Sequence, residues 1–144
     1  MTKTFDPALL DAERYPYELT ITTRFADMDI NGHINNVAMA TAFEDARVRM
    51  MRERFDRDRD GFRPMVAAVN IDYLAQAHYP APMVLKVGIA AMSRSSWTVA
   101  ELALQDGKPR ALCRAIIVST DGQKATPLPE EVRARLEVLR VRMP

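Results

Sequence analysis

The chain has 144 residues, 48% of them hydrophobic and 27% charged, with a formal net charge of +1. That length bounds one domain, residues 1–144, with apolar content enough for a core without staples. The near-neutral balance speaks against nucleic-acid binding by bulk electrostatics, and no apolar run approaches the roughly 20 residues of a membrane-spanning helix.

Residues 1–13 lack a basic stretch followed by an apolar one, so no secretory signal is expected. Tyr17, Leu19, Ile21, Thr23 and Phe25 then alternate with Glu18, Thr20, Thr22 and Arg24, which predicts a half-buried strand. From Asn36 to Phe55 the apolar positions Met39, Phe43, Ala46 and Met50 recur at helical spacing, with Ala42 and Met51 flanking them. Asn35 or Asn36 suits the cap of that helix. Between strand and helix, Arg24 to Asn36 concentrates two carboxylates, an imidazole, three carboxamides and a glycine. Polar groups on a loop held by rigid elements, beside a helix N-terminus, stand where chemistry usually occurs.

The helix ends in a mixed-charge run, Arg52 to Gly61, whose acids and bases alternate. It reads as a solvated helix end and loop rather than a phosphate or nucleic-acid site. Strands follow: Met65 to Leu74, with Val69, Ile71 and Tyr73 alternating against Asn70 and Asp72; Met83 to Ile89; and, after a break at Ser93–Ser96, Trp97 to Leu104. Asp106-Gly107 signals a hairpin into a last strand, Arg110 to Thr120. Beyond Pro127 and Pro129, residues Glu130 to Val141 suggest a short amphipathic helix carrying Val132, Leu136 and Leu139. Short connections imply antiparallel neighbours, so the expected class is α+β, one long helix against an antiparallel sheet. The lone Cys113, flanked by Ala111, Ala115 and Ile117, is expected to be an inert core thiol, as suits a reducing, cytoplasmic setting.

This arrangement resembles the hotdog-fold thioesterases, above all the branch of 4-hydroxybenzoyl-CoA thioesterase and the acyl-ACP thioesterases. The most specific likeness is an Asp-x-Asp pair followed by Gly-His-x-Asn-Asn, met here by Asp27, Asp29, Gly32, His33, Asn35 and Asn36. Phe43-Glu44-Asp45-Ala46-Arg47 echoes a run on the family's helix, and Gly88, Ser95-Ser96 and the Pro-Leu-Pro before the last helix are weaker echoes. The resemblance implies a sheet wrapped round the helix, a homodimer or homotetramer built by edge-to-edge sheet pairing, and an active site between chains. It implies hydrolysis of an acyl-CoA, with acyl-ACP as the alternative substrate, and no cofactor.

Thioester hydrolysis needs a group that activates water or attacks the carbonyl, and donors for the developing oxyanion. By resemblance Asp29 is the general base or nucleophile; the plain alternative is an aspartate that orders the turn through backbone amides. Asn36 matches the residue whose backbone N–H meets the thioester oxygen, a role compatible with capping. Asn31 and His33 match the asparagine and histidine of the acyl-ACP branch, with His33 as a proton shuttle and Asn31 in support. Glu44 competes with Asp29, because another hotdog branch carries its carboxylate on the helix; pairing with Arg47 or Arg24 is its plain alternative.

Arg94, Ser95 and Ser96 are candidates for the pantetheine or phosphates of CoA, and Met39 and Phe43 for the acyl group. No metal is expected: Asp27, Asp29 and His33 offer a thin donor set, with no second histidine near in sequence. His78 reads as a loop residue lining the surface. Two departures from the family bear on substrate range: Met39 stands where a tyrosine is common, and Tyr79-Pro80-Ala81-Pro82 lacks an acidic residue. Small helix residues, Ala38, Ala40, Ala42 and Ala46, would let another helix approach closely. Outside hydrolysis stand a non-catalytic acyl-CoA-binding module and a hotdog hydratase or dehydratase.

Overall fold

The computed structural model describes residues 4–54 and 62–144. Its elements in chain order are β1 (Tyr17–Ile21), α1 (Asn36–Arg54), β2 (Arg63–Tyr73), β3 (Met83–Met92), β4 (Ser96–Gln105), β5 (Lys108–Thr120) and α2 (Glu130–Val138). Short 3₁₀ turns precede β1 and follow it at Phe25–Asp27. The strands form one antiparallel sheet in the order β1-β3-β4-β5-β2. Among the described residues no helix is long and apolar enough to cross a membrane.

The helical stripe behaves as its spacing predicts. Met39, Phe43, Ala46 and Met50 are buried against the sheet, meeting Leu85, Val87, Trp97 and Val99 in one core. Ala42 is buried as well, so of the small helix residues only Ala40 is exposed. Ala46 packs in the core under the sheet, while Ala38 and Ala42 also line an open groove. Val132, Leu136 and Leu139 complete the core from the C-terminal side.

Two element ends and one strand placement differ most from the sequence reading. β1 stops at Ile21 instead of Phe25. The Asp27 carboxylate accepts the Arg24 N–H at 3.1 Å and pairs with its guanidinium at 2.8 Å, curling Phe25–Asp27 into a turn. α2 ends at Val138 rather than Val141. β1 pairs with β3 only as far as Val87, leaving the backbone of Ile89 at an open edge. The C-terminal segment satisfies it: Ile89 donates to the Leu139 carbonyl at 2.8 Å, and Val141 donates to that of Ile89 at 2.9 Å. Finally, β2 does not lie beside β3. It pairs with β5 at the far edge, and residues 74–82 cross over to β3. The end of the predicted helix at Phe55 and most of the mixed-charge run, residues 55–61, lie outside the described residues.

The Asp106-Gly107 hairpin has the expected geometry, with φ of 53° and 72° at the two positions, which a type I′ turn requires. On the opposite face of the sheet, Leu9, Tyr15, Leu102, Leu104, Leu112 and Val141 make a second apolar cluster. It covers the outer face of the sheet with the N-terminal 3₁₀ segments.

Candidate active site

The loop from Met28 to Ile34 is a tight, hydrogen-bonded turn. Met28 and Ile34 form an isolated antiparallel bridge. Asp29 donates its N–H to the His33 carbonyl at 2.7 Å, and Gly32 donates to the Asp29 carbonyl at 3.1 Å. Gly32 has φ of +79°, a conformation costly for any residue with a Cβ. The buried Ile34 anchors the turn by donating to the Ala77 carbonyl at 2.8 Å.

Within this turn Asp29 Oδ1 accepts the N–H of Asn31 at 2.8 Å and of His33 at 3.1 Å. Its Oδ2 has no hydrogen bond among the described residues, and the residue is exposed. Asp29 therefore orders the turn with one oxygen and keeps the other available. The turn-ordering role thus occupies one carboxylate oxygen and does not exclude a chemical role for the other.

Asn35 is the cap of α1. Its Oδ1 accepts the Ala38 N–H at 2.8 Å, while its N–H and Nδ2 both donate to the Asp27 carbonyl at 2.8 Å. With Ala38 satisfied by the cap, the N–H groups of Asn36 and Val37 have no acceptor among the described residues. Unpaired amides at a helix start, aligned with the helix dipole, are ready donors for a negative oxygen.

Asn36, Asp29 and Glu44 line one open groove of about 1350 Å³, whose walls also include Thr20, Thr22, Arg24, Val37 and Thr41. Glu44 is exposed and pairs with neither of its expected partners, since Arg47 bonds Glu101 and Arg24 bonds Asp27. The Arg24 guanidinium holds the Asp27 carboxyl below the usual range, and this pairing makes Asp27 a structural member of the loop.

The other sequence candidates fall elsewhere. His33 is half-buried and packs edge-on against His78, ring centroids 5.1 Å apart, and the two residues also form a backbone bridge. His78 is an exposed loop residue, as read from the sequence, but the expectation that no second histidine lies near fails in space. Gln105, buried on β4, holds His78 by accepting its N–H at 2.9 Å and donating to its carbonyl at 2.8 Å. Nothing in the spacing of His33 and His78 signals their meeting; it follows from the crossover of residues 74–82. Among the described residues, no group of three or more His, Cys, Asp and Glu could hold a metal ion.

Asn31 is exposed at the tip of the turn. Met39 and Phe43 are buried in the core and do not line the groove. Arg94, Ser95 and Ser96 form the β3–β4 turn beside α2, where Arg133 donates to the Ser93 carbonyl at 2.8 Å, and none of them lines the groove. Tyr73, read from sequence as an apolar strand position, brings its hydroxyl 3.4 Å from the Asn36 carbonyl.

Beneath α1, Arg47 forms a buried ion pair with Glu101 at 3.0 Å, and Glu101 stands beside Cys113 across the β4–β5 ladder. Burial pushes the Glu101 carboxyl up to about 8 against the pull of Arg47. Burial, then the charge of Glu101, pushes the Cys113 thiol up to about 12. The inert thiol expected from the apolar neighbours of Cys113 agrees with this environment.

A family model described as the thioesterase-like superfamily matches residues 23–136. The chain belongs to this superfamily. Its fold is the hotdog fold that the turn motif suggested. A thioesterase of Thermus thermophilus, solved in complex with coenzyme A and zinc, is 29% identical with a TM-score of 0.81, covering 91% of this chain and 98% of that one. A protein of Pseudomonas aeruginosa is 26% identical with a TM-score of 0.77, covering 90% of this chain and 95% of that one. A 1,4-dihydroxy-2-naphthoyl-CoA thioesterase of Synechocystis, 16% identical with a TM-score of 0.75 over 85% of this chain and 96% of that one, shares the fold. No curated protein matches the sequence.

Proposed function

We propose that this chain is a homodimeric hydrolase of acyl-CoA thioesters, with Asp29 as general base or nucleophile and the Asn36 amide as oxyanion donor. The observation that carries the reading is the shared groove: unpaired helix-start amides, a carboxylate with one free oxygen and the unpaired Glu44 all line it. Membership of the thioesterase-like superfamily supports the reaction class, and the coenzyme A held by the Thermus relative supports the carrier.

The thioester carbonyl oxygen sits at the N-terminus of α1 and accepts the Asn36 N–H as it gains charge. Water held between Asp29 Oδ2 and Glu44 loses a proton to Asp29 and adds to the carbonyl carbon. Collapse of the tetrahedral species breaks the C–S bond. The thiolate leaves as CoA and recovers the proton, so the products are free acid and thiol. In the nucleophilic variant Asp29 adds directly, and water then opens the resulting anhydride. His33 packs against His78 outside the groove lining and takes no step here, while Asn31 keeps the turn in shape.

The dimer closes an otherwise open groove. β2 is an edge strand of eleven residues, Arg63 to Tyr73, and exposes Met65, Val66, Val69 and Tyr73. An apolar, unpaired edge of that length calls for a partner strand. The pantetheine role of Arg94, Ser95 and Ser96 then belongs to the turn of the other protomer. A cytoplasmic setting fits the lone reduced thiol.

The test is thiol release from acyl-CoA and matched acyl-ACP esters. Turnover of CoA esters supports the reading, and turnover of ACP esters alone moves the carrier. Saturable binding without turnover would leave Asp29 as a turn residue in a binding module.

A further inference from the structure

The groove continues past the proposed chemistry. Asn36, Val37, Thr41, Glu44 and Val48 follow one face of α1 along it. Val48 also borders a second cavity of about 320 Å³, whose walls include Arg47, Met51, Arg52, Phe62, Trp97 and Ile117. The path from Asn36 to Val48 is about 18 Å at ~1.5 Å per helical residue. An extended chain advances ~1.2 Å per bond, a third of the residue repeat, so this path spans roughly fifteen bonds.

The lining of the cavity is apolar apart from Arg47, Trp97 and the exposed Arg52. Arg47 is 7% exposed, and its one hydrogen bond runs from Nη1 to Glu101 Oε2, so Nε and Nη2 lack acceptors among the described residues. Trp97 is 1% exposed, and its buried indole N–H has no acceptor among the described residues. Buried donors left unpaired are costly, and such sites discriminate strongly for a ligand that supplies the missing acceptor. Met51, Phe62, Val99 and Ile117 meanwhile give methylenes the surface they need.

We infer that this cavity receives the far end of a long acyl chain that carries an oxygen acceptor there, held by Arg47 and Trp97. The inference deepens the acyl-CoA reading and rests on it for the placement of the thioester. Arg47 spends Nη1 on Glu101 and keeps its remaining N–H groups for such an oxygen, a carboxylate above all.

Trp97 is the sole tryptophan, so its emission reports on the cavity directly. The probes are non-hydrolysable thioether analogues of butanoyl-CoA, hexadecanoyl-CoA, ω-hydroxyhexadecanoyl-CoA and ω-carboxyhexadecanoyl-CoA. The oxygenated long chains should shift Trp97 emission and bind at least about tenfold tighter than the plain one. The butanoyl analogue should bind without shifting it. An Arg47→Met/Glu101→Leu double variant, which leaves no lone buried charge, should lose the preference and keep butanoyl binding. Should that variant not fold, the wild-type comparison decides alone. Equal affinity for plain and oxygenated chains, or no binding of long chains, overturns the inference. Hydrolysis of the corresponding esters without preference would leave the thioesterase reading standing, whereas preference without hydrolysis would sustain the cavity and defeat that reading.

Discussion

The Asp29 carboxylate accepts the His33 N–H at 3.1 Å through the same oxygen that accepts Asn31, and this fixes the direction of its other oxygen. An asparagine side chain keeps the accepting oxygen and so the turn. Asp29→Ala removes it and should cost about 1 kcal/mol of stability, read by urea unfolding. An Asp29→Ala protein as stable as wild type would show that the turn does not depend on these bonds.

Asn35 joins the loop before it to α1 through one side chain, with Oδ1 on the Ala38 N–H and Nδ2 on the Asp27 carbonyl. Asn35→Ala should destabilise the protein by roughly 1–2 kcal/mol and lower kcat, because the helix start that presents Asn36 loosens. Asn35→Asp, which retains the cap but not the donor, should fall between. Unchanged kcat in both variants would separate the cap from the oxyanion site.

Gly88 leaves no room for a side chain. A Cβ there would stand 2.8 Å from Pro16 Cδ and 2.8 Å from Val141 Cγ2, both held by neighbouring backbone. Gly88→Ala should cost about 1–3 kcal/mol, measured as a shift of the denaturation midpoint. A neutral result would mean that the C-terminal segment is free to move off Ile89.

The Glu101 carboxyl, pushed up to about 8 from 4.5 by burial, binds a proton in the folded state that it releases when unfolded. Its contribution to stability is therefore complete below about 4.5 and is lost as pH rises toward about 8. Glu101→Gln should flatten the decline in stability across that window. A wild-type profile that rises with pH there would contradict the protonated assignment.

Cys113 tests the same buried cluster from the other side. With its thiol pushed up to about 12, it should resist alkylation at neutral pH until the chain unfolds. Fast labelling of the native protein would contradict the burial of this face of the sheet.

Much of this was legible in the residues. The spacing of Met39, Phe43, Ala46 and Met50 marked the core face of α1, because a helix against a sheet buries one stripe. The alternation of β3 to β5 and the Asp-Gly hairpin were equally plain, since each depends on neighbours in sequence. What escaped notice depends on neighbours in space. The placement of β2 beside β5, the meeting of His33 and His78, and the Arg47–Glu101 pair all arise from the crossover or from packing between elements. The truncation of α2 has the same origin, since Leu139 and Val141 answer an open edge at Ile89 that no local pattern reveals. At the candidate site, the motif from Asp27 to Asn36 marked a stretch that lines the groove in part, while the unequal bonding of the two Asp29 oxygens came only with the hydrogen bonds.

The most direct measurement compares thiol release by wild type, Asp29→Asn and Glu44→Gln on acyl-CoAs from acetyl to palmitoyl, benzoyl and hydroxybenzoyl. The account predicts turnover by wild type, a loss in kcat of at least roughly 10²-fold in Asp29→Asn, and a smaller loss in Glu44→Gln. A near-wild-type rate in Asp29→Asn, or a larger loss in Glu44→Gln, would contradict it and move the base onto the helix.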